Sequence, residues 1–235
     1  MSSLGPIPQA QPAEFSALRK VMWFGILQLG GEVLGWILIA YLFISGSFFS
    51  PFVNLPTSAT ATQVAAAIRP LFQSLALEVT VALVIGLAGA LVLTLGFREF
   101  SKVDKERFSV PSTLMLLLLA SSVLAAVSIF PMLNSIPDII ALAPSGSATS
   151  PSSSFFSAIG SLTAYFLLLA IAGILGLVGV IGGQILGVWR VGSRYDETLL
   201  KLGAIFTIIP LVNIMAPFLV LIGAYQVKGR LGSQG

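Results

Sequence analysis

Cysteine and histidine are both absent from this chain of 235 residues. Without cysteine there is no disulfide, no thiolate metal site and no thiol nucleophile. Without histidine the commonest general base and metal ligand is missing. A Ser-His hydrolase, a His-ligated metal and a haem with a His or Cys axial ligand are excluded together. Neither a GxxxxGK[ST] loop nor a GxGxxG turn after a strand is found. Charge is also scarce, at 9% of residues, where an ordinary soluble domain carries roughly 25%. The expectation is a non-enzyme without metal or cofactor.

What fills the chain is apolar: 56% of residues are hydrophobic and the mean hydropathy is +1.00. A soluble fold of this size would still have to cover its surface with polar groups, so the solvent is lipid. Apolar runs of about 20 residues, enough to span, cover Val21–Ser45, Leu71–Phe97, Thr113–Phe130, Phe155–Val188 and Leu202–Val227. The expected fold is all-α, a polytopic helical membrane protein of about five transmembrane helices. A polar cytoplasmic tail takes residues 1–20, a single helical transmembrane domain 21–227 and a short tail 228–235. The first run exceeds the apolar region of a cleaved signal peptide, about 7–15 residues, and reads as a retained span. The fourth covers on the order of 50 Å against a hydrocarbon core of about 30 Å. Its first turns, FFSAIGSL, are therefore expected in or above the outer interface.

The net charge of +3 rests on only twelve Lys and Arg, placed between apolar runs rather than in a patch. That is an orientation signal and not a nucleic-acid surface. Arg19 and Lys20 precede the first run, Arg98, Lys102, Lys105 and Arg107 follow the second, and Arg190, Arg194 and Lys201 separate the last two. The opposite loops carry Arg69 alone. The positive-inside rule puts the N-terminus in the cytoplasm of a cell with this protein in its cytoplasmic membrane. Five crossings leave Lys228 and Arg230 outside, against that rule. The alternative is a last run broken at Pro210 and Pro217 into two half-helices that re-enter. The outer loop SGSATSPSSS reads as solvated, with O-linked sugar the other reading.

The stretch Trp189 to Leu231, with WRVGSRY, then LLKLGAIF and IIP, then an apolar close ending LIGAY, resembles the closing segment of an archaeal multi-pass membrane family catalogued as domain of unknown function 973. The rest of the chain resembles that family in hydropathy and number of spans. The resemblance implies an archaeal cytoplasmic membrane and carries no assigned activity or site.

Two acidic pairs, Asp104 with Glu106 and Asp196 with Glu197, sit among Lys and Arg and read as solvated loop charge. Glycines at three- and four-residue spacing, Gly31 and Gly35 in the first run and Gly176, Gly179, Gly183 and Gly187 in the fourth, point to close helix packing. A hinge or a substrate-lining helix is the other reading.

Glu32 lies about 18 Å from Lys20, mid-bilayer, where a charge is costly and calls for a partner. Gln28 shares its face at i and i+4. Asn213 reaches the same depth counted from Lys201, and Gln184 lies about 9 Å in from Arg190. Pro210 and Pro217 would free the carbonyls of Phe206 and Asn213. Glu32, Gln28, Gln184 and Asn213 thus form a candidate intramembrane polar cluster, either structural glue through a neutral carboxyl or a proton or cation site. Glu78 falls near the outer interface, about 30 Å from Arg98, and reads as an interfacially solvated group.

Two functions follow. One is a non-catalytic integral membrane protein, a structural or accessory subunit whose partners are the lipid bilayer and other membrane proteins or further copies of itself. The other is a small proton- or cation-linked transporter or channel using Glu32. Transporters commonly show internal repeats and paired broken helices. One interrupted segment and no repeat favour the first.

Overall fold

The computed structural model describes residues 12–46, 48–53, 55–144, 150–209 and 212–233. Its helices are α1 (Pro12–Ile44), the single turn α2 (Ser50–Val53), α3 (Ala61–Val103), α4 (Lys105–Ala141) and α5 (Ser153–Val178). A π-helical stretch, Gly179–Ile185, continues α5 into α6 (Leu186–Arg194). There follow α7 (Thr198–Phe206), a short 3-10 turn (Asn213–Met215) and α8 (Ala216–Gly232). Four helices are long and apolar enough to cross a membrane, Pro12–Ile44, Ala61–Val103, Lys105–Ala141 and Ser153–Arg194. By length and composition this is a multi-pass, all-α membrane protein.

The expected fifth span is not among them. The run Leu202–Val227 folds as two short helices of 9 and 17 residues that pack against each other. A Cβ on Gly203 would meet Val220 and the carbonyl of Ala216, and one on Gly223 would meet Leu200. Residue numbers rise on α7 as they fall on α8, so the pair is an antiparallel hairpin. Arg230 closes its open end with an ion pair to Glu197. The break sits where proline is harmless: Pro217 occupies the first turn of α8, where no helical N–H bond is due. The last run is therefore two half-helices, as in the alternative reading, rather than one kinked span, and Gly203 and Gly223 let the two arms pack closely.

The chain clusters into two compact units. The first comprises Met1–Gly30, Gly86–Leu119 and Gly176–Gly235. Its core runs from Leu18, Val21 and Phe24 of α1 through Leu93, Phe97 and Phe100 of α3 and Phe108 and Met115 of α4 to Val191, Leu200 and Val227. Phe100 stacks on Phe108 with centroids 4.9 Å apart. The α3–α4 connection is one residue, Asp104, whose N–H bonds the Phe100 carbonyl. Residues 12–20, expected as tail, are the first turns of α1. Glu14, Ala17, Leu18 and Val21 are all buried, the i, i+3, i+4, i+7 face of a helix.

In this unit the fourth run's glycines meet their neighbours closely. A Cβ on Gly179 would lie 2.6 Å from the Leu118 nitrogen, one on Gly183 2.8 Å from the Met115 nitrogen, and one on Gly187 2.3 Å from the Phe97 ring. Gly182 is pressed by Leu114, and Gly176 is half-buried. The π-helical stretch is thus the part of this long helix that lies backbone to backbone on α4.

The second unit comprises Gly31–Ile85 and Ala120–Leu175. Ser121 donates to the Ala172 carbonyl at 2.7 Å, tying α4 to α5. Arg69 of α3 pairs with Asp138 of α4 at 2.6 Å. Its large side chains mostly face outward, among them Trp36, Phe43, Val84, Phe156 and Phe166, as lipid-facing residues do.

Two outcomes test this fold. The chain has no cysteine, so Ser101→Cys, Ser152→Cys and Ser233→Cys report sidedness to an impermeant thiol reagent. Ser233 should label from the face that labels Ser101, and Ser152 from the other; Ser233 labelling with Ser152 would restore five crossings. Gly179→Ala and Gly183→Ala should each cost about 1–3 kcal/mol of unfolding free energy in mixed micelles, the range for overpacking. Gly173→Ala, with nothing within 4 Å, should cost nothing.

Candidate functional site

The four polar residues picked out by depth occupy different settings. Gln28 and Glu32 are half-buried on α1, Gln184 is buried within the π-helical stretch, and Asn213 is exposed in the turn between α7 and α8. Gln28, Gln184 and Asn213 belong to the first unit and Glu32 to the second. Among the described residues, no hydrogen bond engages any of the four side chains, and Glu32 Oε2 is fully buried without a partner. Pro210 lies outside the described residues. The carbonyls expected to be free are taken: Phe206 accepts from the Ile209 N–H at 3.2 Å, and Asn213 from the N–H of Ala216. The turn supplies its own bonds where the helix stops.

Within the second unit α1 and α3 diverge. A Cβ on Gly31 would sit 2.9 Å from Ile85, yet one on Gly35 would meet nothing within 4 Å. The opening is a cleft of about 190 Å³ walled by Gly31, Leu34, Gly35 and Leu38 of α1 and by Glu78, Ala82 and Ile85 of α3. Glu78 is the one charged side chain in it. Among the described residues neither Glu32 nor Glu78 has an ion pair, and Arg69, the unit's only Lys or Arg, is engaged by Asp138.

The first unit handles its charges differently. The Arg194 guanidinium donates from Nε and Nη2 to Glu14 Oε1 at 3.1 and 2.7 Å, and from Nη1 to Asp104 Oδ2 at 3.0 Å. The Tyr195 hydroxyl donates to the same Glu14 oxygen at 3.0 Å. One fork thus ties the start of α1, the α3–α4 junction and the end of α6. Burial, with the Glu14 carboxylate beside it, pushes the Tyr195 phenol above its ordinary value. Lys20 of α1 pairs with Glu99 of α3. Asp196 takes the left-handed conformation (φ 48°) at the α6–α7 turn, a conformation Asp tolerates better than most residues. The hydrogen bond from Lys201 holds its carboxyl below the usual range. Glu197 is buried, accepts from the Leu199 N–H at the start of α7 and binds Arg230. Asp104 and Glu197 are therefore structural ligands, not the solvated loop charge expected of them. The helical spacing of Glu14 with Ala17, Leu18 and Val21 is a signal for Glu14 in this network; nothing local announces Asp104 or Glu197.

A family profile described as a protein of unknown function, DUF973, matches residues 13–234. The chain belongs to the DUF973 family. The match extends from the first turns of α1 through the hairpin, so both units of this DUF973 chain are family structure. No curated protein and no solved structure matches it.

Tyr195→Phe should cost about 1.5–3 kcal/mol, the range for a hydrogen bond to a charged group. Because the folded-state phenol titrates above its unfolded value, that contribution is complete below about pH 10 and is lost as pH rises through the raised value. Unfolding of wild type and variant should therefore differ by a constant from pH 6 to 9 and converge only in strong alkali. Convergence near neutrality would remove Tyr195 from the network.

Proposed function

We propose that this DUF973 protein is a non-catalytic multi-pass membrane protein acting as a structural or accessory subunit, with its N-terminus, its basic loops and its C-terminus on the cytoplasmic side. The supporting observation is that the π-helical stretch and the arms of the hairpin are packed close by the chain's own side chains. Leu114, Met115 and Leu118 press on the glycines of the π-helical stretch, and Val220 and Leu200 on those of the hairpin. A transporter places its broken helices around a substrate cavity; here the glycines of the π-helical stretch and of the hairpin arms meet protein. All the Lys and Arg except Arg69 fall in the first unit, which supports the orientation through the positive-inside rule. Outward glycines that meet nothing, Gly30, Gly35, Gly86 and Gly173, leave room for helices of other membrane proteins.

The buried Glu32 Oε2, without a partner among the described residues, favours a second reading, a small proton- or cation-linked transporter or channel. Purification from native membranes under mild detergent separates the two. A discrete complex with other membrane proteins is the expected result, and Glu32→Gln should leave it intact. A protein that elutes alone and, in vesicles, carries a proton- or cation-dependent flux abolished by Glu32→Gln would replace the subunit reading with the transport one.

A further inference from the structure

The α1–α3 cleft has a shape and a chemistry that define what it accepts. The helices touch at Gly31 and Ile85 and open beyond. Glu78 lies seven residues from Ile85 along α3, about 10 Å, on the open side among Gly35, Leu38 and Ala82. A carboxyl in an apolar cleft at the outer edge of the bilayer, without an ion pair among the described residues, complements an ammonium or guanidinium on an apolar stem. We infer that the cleft receives a Lys or Arg side chain from a transmembrane helix of another membrane protein, with Glu78 as its counter-charge.

Size and charge select this occupant. At about 190 Å³ the cleft is smaller than the roughly 300–1,000 Å³ of pockets that enclose small molecules, and it suits one long side chain. The two glycines in its α1 wall let a helix backbone come close. A parallel second copy fits poorly, because Arg69 is its only Lys or Arg in residues 31–85 and 120–175 and is held by Asp138. The inference rests on the subunit reading and names the chemistry of the partner.

The test uses the full chain in lipid vesicles with a donor dye on Ser152→Cys. The probe is an acceptor-labelled helix of about 20 leucines carrying one Lys in its outer quarter, compared with an all-Leu twin. Energy transfer should show the Lys helix binding at least tenfold more tightly. Glu78→Gln should reduce it to the level of the twin, and so should Leu38→Trp, which fills the cleft without altering charge. Equal binding of the two helices, or a Lys preference that survives both variants, overturns the inference. So does Glu78-dependent transfer between donor- and acceptor-labelled copies of the protein, which would assign the cleft to a second copy. The subunit reading fails separately: a wild type that elutes alone from native membranes sinks it even if the Lys preference holds. A Glu78→Gln protein that still elutes in its complex sinks only the cleft.

Discussion

Backbone polar groups inside a bilayer have no water to bond, so a helix can break there only where other protein closes over the break. The C-terminal third of this chain is organised around that constraint. The hairpin stops its helix twice, at Phe206 and before Ala216, and at both ends neighbouring N–H groups take up the exposed carbonyls. What lets the two arms lie close enough to cover each other is the pair Gly203 and Gly223, each a side chain's thickness from the opposing helix. The same device serves the π-helical stretch, where Gly179 and Gly183 bring the chain onto the backbone of α4. In lipid no hydrophobic force drives helices together, so close van der Waals contact of this kind supplies the association energy.

The ion pairs of the first unit extend that packing to the helix ends. Arg194 suits its place because a planar fork serves Glu14 and Asp104 at once, which a lysine point charge could not do in the same geometry. Each pair joins segments distant in sequence: Glu14 with Arg194, Glu197 with Arg230, Lys20 with Glu99. The basic residues clustered in this unit thereby also fix how its helix ends meet. The Phe97, Phe100 and Phe108 rings lie beneath, so the network stands on a rigid apolar floor.

Hydropathy is a one-dimensional signal, and the parts of the fold that depend on one dimension were legible: the apolar runs, their helical character and the segregation of basic residues. Depth could be counted too, which is why Glu32 and Asn213 were placed at one level. Azimuth could not, because the direction a side chain faces depends on which helix lies beside it. Gln28 and Glu32 stand one turn apart on α1, on either side of the boundary between the two units. The last run was ambiguous for a related reason. Its length of 26 residues from Leu202 to Val227 satisfies a kinked span and a hairpin equally, and the contact between Gly203 and Val220 that decides between them is tertiary. Glu14 was within reach of sequence reasoning, since its spacing continues the buried face of the first helix, but proline and polar neighbours gave that stretch the look of a tail.

The two units differ in what they leave unfinished. In the first, most acidic groups have a cation from elsewhere in the chain, and the π-helical backbone is packed onto α4. In the second, the single cation is already engaged, while Glu32 and Glu78 stand without an ion pair among the described residues. At mid-bilayer, the depth counted for Glu32, a charged carboxyl costs about 2.5–3.5 kcal/mol on insertion scales, a sizeable fraction of the stability of a typical domain. A fold with the glycine contacts and forked ion pairs of the first unit has the means to carry that cost. Removing the two carboxyls should therefore leave a protein that folds at least as well, because neither makes an ion pair among the described residues that its loss would break.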